Sequence, residues 1–243
     1  MKLLLLCICF LSSAKVSAQK IVNLVFVGDK GLTENIKEAK FFVVIKDFNG
    51  KLQRLDYKMS GPLIKESNYL DSNLKVLDGP YHEYDQNGVL SMTGNYVNNQ
   101  KQDEWRNYND TGKVTLIKTY KNDELIKTTN PDTVAEKELP QDNKKSEQEA
   151  FYGKNEMSWK KFLLKNLNSE VGNQSVRGGT VQVGFIVDTS GKCTNIYVKK
   201  SVEFVLDEEV KRIISISPEW NPAVQFGKKV RAYRIQPITF VKP

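Results

Sequence analysis

Hydrophobic and polar residues alternate most clearly in the last third of the chain. A first alternating stretch covers about 179–187, a turn-forming run occupies 188–191, and a second stretch ends at Val198. Alternation places side chains on one face of a strand, so this pattern predicts a β-hairpin. The apolar positions of its first strand are Val181, Val183, Phe185 and Val187.

Helical spacing of apolar residues follows this hairpin. Within 205–220 the apolar residues Leu206, Val210, Ile213 and Ile214 recur at three- and four-residue intervals, and Pro218 ends the pattern. This spacing predicts an amphipathic helix. A second apolar stripe predicts a helix over 157–167, and the run 228–240 predicts a closing strand.

The closing strand is predicted to lie at the edge of its sheet. Pro237 lacks a backbone N–H, and proline within a strand is confined mainly to edges and strand ends. An unpaired edge can bind an extended peptide through backbone hydrogen bonds. The alternative is that Lys228, Lys229, Arg231 and Arg234 protect this edge against aggregation, since edge charges have that effect.

Five motifs in a fixed order carry a family resemblance. They are FIVDTSG, VLDEEV, ISPEWNPA, GKKV and PITF. Together they resemble the TonB C-terminal domain, over roughly 151–243. The resemblance implies a two-layer α/β domain ordered helix-strand-strand-helix-strand. It also implies a periplasmic role in which the domain pairs with the TonB box, a short peptide of outer-membrane receptors, and transmits force that opens them.

The same resemblance implies where a peptide binds. The stretch comprises Lys229, Val230, Arg231, Ala232, Tyr233, Arg234 and Ile235. The expected partner is a TonB-box-like receptor peptide or another envelope protein, and such domains also pair edge to edge as homodimers. Two features depart from the family pattern: we find no retained membrane anchor with a Pro-rich spanner, and Asn168-Ser169-Glu170 stands where a Tyr-Pro pair is common.

A repeat with a period of 24 residues occupies 79–125. Gly88 aligns with Gly112, and each copy contains two aromatic residues, a polar turn ending in glycine, and an alternating strand that ends in a third aromatic residue, tyrosine. Glycine supplies the positive backbone angle of a tight hairpin, and the aromatic residues are expected to pack along one face. The pattern resembles MORN-type repeats. Strands at 21–27 and 41–46 are expected to complete the sheet, since two repeats alone bury little.

Two further segments divide the chain into domains. Residues 1–18 combine Lys2, an apolar run and a small-residue cleavage site, which predicts a secretory signal peptide. Residues 129–150 are polar and charged without an aromatic residue, which predicts a disordered linker. The expected order is therefore signal peptide, β-rich repeat domain (19–128), linker, and TonB-like domain (151–243).

The positive charge lies mostly in the C-terminal region. Residues 151–243 carry 15 basic and 8 acidic side chains, a net charge of 15 − 8 = +7. The net charge of the whole chain is also +7, so the rest of the chain is close to neutral. Basic surfaces attract anionic partners. Export argues against nucleic acid. The alternatives are an acidic segment of an envelope protein, an anionic polymer, or an ordinary solvated lysine-rich surface without a partner. Cys193 alone remains after signal cleavage, so no internal disulfide is expected.

Catalytic chemistry has little support in the sequence. His82 is the only histidine, and its place between two repeat aromatics predicts an outward-facing structural role. The acidic run Asp207-Glu208-Glu209 opens the predicted helix, where the helix dipole stabilises negative charge. We find no motif for a metal, nucleotide or haem, and we expect a protein that is not an enzyme and has no cofactor.

The sequence therefore predicts an α+β protein: an N-terminal antiparallel β-rich repeat domain followed by the TonB-like domain. The expected function is that of an exported periplasmic binding protein that captures an extended peptide, in connection with TonB-dependent transmembrane transport. No membrane span is expected after signal cleavage. The alternative is a structural protein of the cell envelope that acts through its MORN-like repeats, with the C-terminal domain as adaptor.

Overall fold

A computed structural model describes residues 20–48, 50–131 and 148–241. The predicted signal peptide and most of the predicted linker lie outside these residues. The described chain is mostly antiparallel β-structure with three helices. None of these helices is long and apolar enough to cross a lipid bilayer.

The first ten strands form one antiparallel sheet. They are β1 (Lys20–Gly28), β2 (Gly31–Thr33), β3 (Phe41–Phe48), β4 (Lys51–Lys58), β5 (Leu63–Tyr69), β6 (Gly79–Tyr84), β7 (Leu90–Val97), β8 (Gln100–Tyr108), β9 (Val114–Lys121) and β10 (Glu124–Thr129). Their order is β10-β9-β8-β7-β6-β5-β4-β3-β1-β2. The strands predicted at 21–27 and 41–46 therefore join the sheet of the repeats, as expected.

The 24-residue period appears as repeated turn chemistry. Gly88 and Gly112 both have φ near 78°. In the first turn the Asp85 carboxylate accepts the N–H groups of Asn87 and Val89. The second turn uses Asn109 in the same way. Equivalent positions thus close equivalent hairpins.

The second part of the described chain contains all three helices and a three-stranded sheet. Its elements are α1 (Glu156–Asn166), α2 (Ser169–Gln174), β11 (Gly179–Val187), β12 (Cys193–Lys200), α3 (Phe204–Ser215), β13 (Ala223–Gln225), β14 (Lys228–Val230) and β15 (Ala232–Phe240). The main sheet has the order β12-β11-β15, and β13 and β14 form a separate hairpin. The predicted hairpin and the helix after it are both present.

A common core joins this sheet to its helices. The four apolar positions predicted on β11 are fully buried, as are the four predicted on α3. Aromatic residues of α1 pack against the same core, and the Trp220 ring lies 5.1 Å from that of Phe185. The alternation and the helical spacing of the sequence therefore correspond to the two faces that meet here.

Three predicted boundaries need correction. The run 228–240 is not one strand, because the turn at Phe226 and Gly227 makes β14 the second strand of a short hairpin before β15 begins. The predicted linker is too long at both ends: Thr129 belongs to β10, and Ala150 is fully buried in the C-terminal core. The helix α2 had no counterpart in the sequence prediction.

Candidate functional site

The three-stranded sheet has two outer strands, β12 and β15, and their environments differ. An outer strand exposes a row of backbone N–H and C=O groups unless another part of the molecule covers it. These two edges are the places where the C-terminal domain can accept another chain.

The ten-stranded sheet covers the C-terminal half of β12. The Tyr84 hydroxyl donates a hydrogen bond of 2.9 Å to the carbonyl of Val198, and both residues are buried. The backbone N–H of Ser201 donates to the carbonyl of Gly88 at 2.8 Å. Val89 forms an isolated β-bridge with Lys200. The C-terminal half of this edge is therefore closed by the protein's own chain.

A buried carboxyl group lies at the same contact between the two sheets, which we call the seam. Asp207 is fully buried at the start of α3. It accepts hydrogen bonds from the Ser201 hydroxyl at 2.5 Å, the Val202 N–H at 3.1 Å, and the Tyr57 hydroxyl of β4 at 3.1 Å. Burial raises the pKa of Asp207 to about 7, although these hydrogen bonds oppose the shift.

An ion-pair cluster lies next to this carboxylate. Lys46 of β3 is almost fully buried and forms a salt bridge with Glu208, which also pairs with Lys211 at 2.7 Å. Burial and the charge of Lys211 lower the pKa of Lys46 to about 8, against the opposing effect of Glu208. Asp207 and Glu208 of the acidic run thus contact the other sheet, a role that their position at a helix start did not reveal.

His82 also lies at the seam, which corrects the prediction that it faces outward. Its side chain is mostly buried, its ring stacks on Tyr197 with a centroid distance of 5.0 Å, and Nδ1 lies 3.3 Å from a Glu66 carboxylate oxygen. His82 is therefore part of the packing between the two sheets.

The other outer strand, β15, is open. It pairs with β11 along its whole length, from Ala232 opposite Val187 to Phe240 opposite Gly179. Within residues 20–48, 50–131 and 148–241, no strand pairs with its other side. Tyr233 and Ile235 point to the exposed face, with 46% and 39% of their surface accessible, while Ile238 and Phe240 are buried on the opposite face.

The predicted peptide-binding stretch is divided between two strands. Lys229 and Val230 belong to β14 and pair with β13, and Arg231 lies between the strands. The remaining four residues, Ala232, Tyr233, Arg234 and Ile235, form the first half of β15. The open edge continues beyond the predicted stretch, through Pro237 to Phe240.

A cavity of about 240 Å³ adjoins the first half of β15. Its walls come from Glu149 and Ala150, from the β13–β14 hairpin, and from residues 232–234. No residue of β11 lines it; the β13–β14 hairpin and residues 148–150 therefore lie beside the first half of β15, although neither pairs with it as a strand. The Arg234 guanidinium forms a salt bridge with Glu149 at 2.5 Å across this space.

The repeat aromatics pack mainly on one another. The rings of Tyr81, Tyr96 and Tyr120 surround Trp105, with centroid distances of 5.0–6.3 Å, and the Lys101 ammonium covers the Trp105 ring at 4.6 Å. Trp105 is only 3% exposed. This cluster is a small core on the sheet, and it presents no open aromatic platform.

Comparison with known families points to the part of the chain that contains the open edge. Residues 173–241 match the family model described as Gram-negative bacterial TonB protein C-terminal. The match covers the three-stranded sheet and α3, and it supports the resemblance drawn from the motifs. Proteins of this family work at the periplasmic side of the envelope. The MORN-type assignment of 79–125 is not supported by this match and stays a prediction. No curated protein and no solved structure matches the chain significantly.

Proposed function

We propose that this protein is an exported binding protein of the Gram-negative envelope, without enzymatic activity, whose TonB-like domain captures an extended segment of another envelope protein. The observation that carries the proposal is the open edge of β15 in the very region that matches the TonB family. An incoming strand would pair with 232–240, which shifts the predicted contact stretch towards the C-terminus.

The covered edge supports this choice of site. Because the ten-stranded sheet occupies the C-terminal half of β12, an added strand that needs a full-length partner is directed to β15. Strand addition obtains affinity from backbone hydrogen bonds and specificity from alternate side chains. Alternate residues of β15 lie on two faces. One face exposes Tyr233 and Ile235, and the other contains Arg234.

A titration with selectively N-methylated peptides tests strand addition directly. The probe is a blocked nine-residue peptide of alternating valine and threonine, added to the isotopically labelled exported chain. We expect amide shifts concentrated in 232–240. Methylating one alternate set of peptide nitrogens should abolish binding, while methylating the other set should not, because only every second N–H faces β15.

Two results would contradict the proposal. No shift at millimolar peptide would exclude capture of this kind of strand. Equal loss with both methylated sets would indicate an apolar contact without a hydrogen-bonded ladder.

Export is tested separately. Mass spectrometry of the protein recovered from the periplasm should show an N-terminus at residue 19, which follows the predicted signal peptide. A chain that retains residues 1–18 would contradict cleavage and would favour an anchored protein.

A further inference from the structure

The cavity beside β15 contains a guanidinium group with one unsatisfied nitrogen. Arg234 points into it, and its Nε atom is buried without a hydrogen-bond partner in the described part of the chain. Guanidinium N–H groups that are removed from water without a partner are costly, and a planar guanidinium fork binds a carboxylate through two of its nitrogens. The arrangement favours an anionic group that also reaches Nε at this place.

The group that now contacts Arg234 is easily displaced. Glu149 donates no backbone hydrogen bond to the hairpin, unlike its neighbour Gln148, and its side chain is 85% exposed. Exposed ion pairs contribute little to stability, because water and salt screen them. A carboxylate that arrives from outside can therefore replace Glu149 at a small cost.

Strand geometry decides how such a carboxylate would arrive. In an antiparallel pair, residues directly opposite each other place their side chains on the same face. A residue of the incoming strand opposite Arg234 would therefore point towards the cavity, and its two neighbours would lie on the face of Tyr233 and Ile235, which is apolar and exposed.

From these contacts we infer that the cavity recognises an acidic side chain of the captured strand, flanked on both sides by apolar residues. This inference rests on the proposed function and adds the chemistry of the partner to it. Glu149 holds the place of that side chain in the free protein. The apolar wall formed by Ala150, Val224 and Val230 accommodates the carbon atoms of the acidic residue.

Matched peptides test the inference with the full exported chain. The probe is a nine-residue peptide that begins with threonine and alternates threonine with valine, blocked at both ends, with one glutamate in place of the threonine at the third, fifth or seventh position, so that valine flanks it on both sides; each is compared with its glutamine counterpart. The blocked ends exclude a contribution from a terminal carboxylate. We expect one glutamate peptide to bind about tenfold more tightly than its glutamine counterpart, the size of one charge-assisted hydrogen bond.

Three variants identify the groups involved. Arg234→Gln should reduce the glutamate preference to within about twofold while the glutamine peptides still bind. Glu149→Gln should strengthen binding of the glutamate peptide about threefold and leave the glutamine peptide unchanged, because it removes an exposed competitor. Lys161→Gln, an exposed position on α1, is the charge-matched control and should keep the wild-type preference.

The possible outcomes separate this inference from the proposed function. Equal affinity of glutamate and glutamine peptides, with shifts in β15, would overturn the acidic specificity and leave strand addition intact. A preference that persists in Arg234→Gln would also overturn it, since general basicity would then be the cause. Failure of every peptide to bind would overturn both proposals.

Discussion

The two edges of the C-terminal sheet belong to strands of similar length but have different surroundings. The ten-stranded sheet provides partners for the backbone along the second half of β12. They are the Tyr84 hydroxyl, the Gly88 carbonyl and a β-bridge from Val89. Along β15 the described chain provides no such partner. The difference teaches that the N-terminal sheet is not a separate attachment: it covers the C-terminal half of the β12 edge, whereas no strand of the described residues pairs with the outer side of β15.

The largest effect is expected from disrupting the covered edge at Gly88. A Cβ atom there would lie 2.8 Å from the Ser201 carbonyl oxygen and 2.6 Å from Pro62, and φ is positive. We expect Gly88→Ala to lower the free energy of unfolding by about 3 kcal/mol, from the left-handed backbone and the clash together. Urea denaturation measures this.

Gly112 supplies the matched control, because it has the same φ. A Cβ atom at Gly112 meets only the flexible end of Lys199, at 3.0 Å. Gly112→Ala should therefore cost only about 1 kcal/mol. Equal losses in the two variants would show that the contact with Ser201 does not stabilise the protein.

The buried carboxylate at the seam predicts a dependence on pH. The pKa of Asp207 is about 7 in the folded protein against an ordinary value of 3.8, so the folded state holds its proton more tightly. Its contribution to stability is complete below pH 4 and is lost as the pH rises to 7. Between pH 5 and 7 we expect the free energy of unfolding to fall by about 2 kcal/mol from this group.

Asp207→Asn isolates that contribution. The amide can keep partners in Ser201, Val202 and Tyr57, but it does not titrate. Denaturation curves at pH 5 and pH 7 should therefore differ less in the variant than in the parent. The same difference in both proteins would assign the dependence to another group.

Removing one hydroxyl at each edge compares the two sides directly. Tyr84→Phe leaves the buried Val198 carbonyl without its donor and should cost about 1–2 kcal/mol. Tyr233→Phe removes a contact of 3.0 Å with the Tyr197 hydroxyl on the exposed face and should cost at most about 0.5 kcal/mol. A larger loss for Tyr233→Phe would contradict the view that only the β12 edge is structural.

The smallest effect on stability is expected at Ile235. This side chain is partly exposed on β15, so Ile235→Thr should change the free energy of unfolding by no more than about 0.5 kcal/mol. Binding of the valine–threonine peptide should nevertheless weaken about threefold, because apolar contact is lost. Unchanged binding would show that the exposed face of β15 does not contact the peptide.

The elements that were predicted correctly are those whose spacing of apolar residues is set by local structure. Alternation at Val181–Val187 and helical spacing at Leu206–Ile214 follow from burial of one face, and both elements are present. The turn at Phe226 escaped prediction because an apolar residue occupies a left-handed position that usually favours glycine or asparagine. The run 228–240 therefore suggested a single strand.

Contacts between distant segments were not predictable in this way. Asp207 lies 150 residues from Tyr57, and the pattern around each residue gives no indication of the other. The burial of His82 and Ala150 was missed for the same reason, since periodicity shows that a face is covered but not what covers it. The position of β15 at a sheet edge was predictable from Pro237. The cavity beside it was not, because its wall includes the β13–β14 hairpin, which the sequence pattern did not predict.

The ion pairs and hydrogen bonds of the seam have a mechanical consequence. A pull on a strand held at β15 would pass through the β11 ladder to β12, and from the Val198 carbonyl to Tyr84 of the ten-stranded sheet. The salt bridge of Lys46 with Glu208 and the hydrogen bond of Tyr57 to Asp207 join the same sheet to α3. Tension applied to such a strand would thus reach both sheets of the molecule.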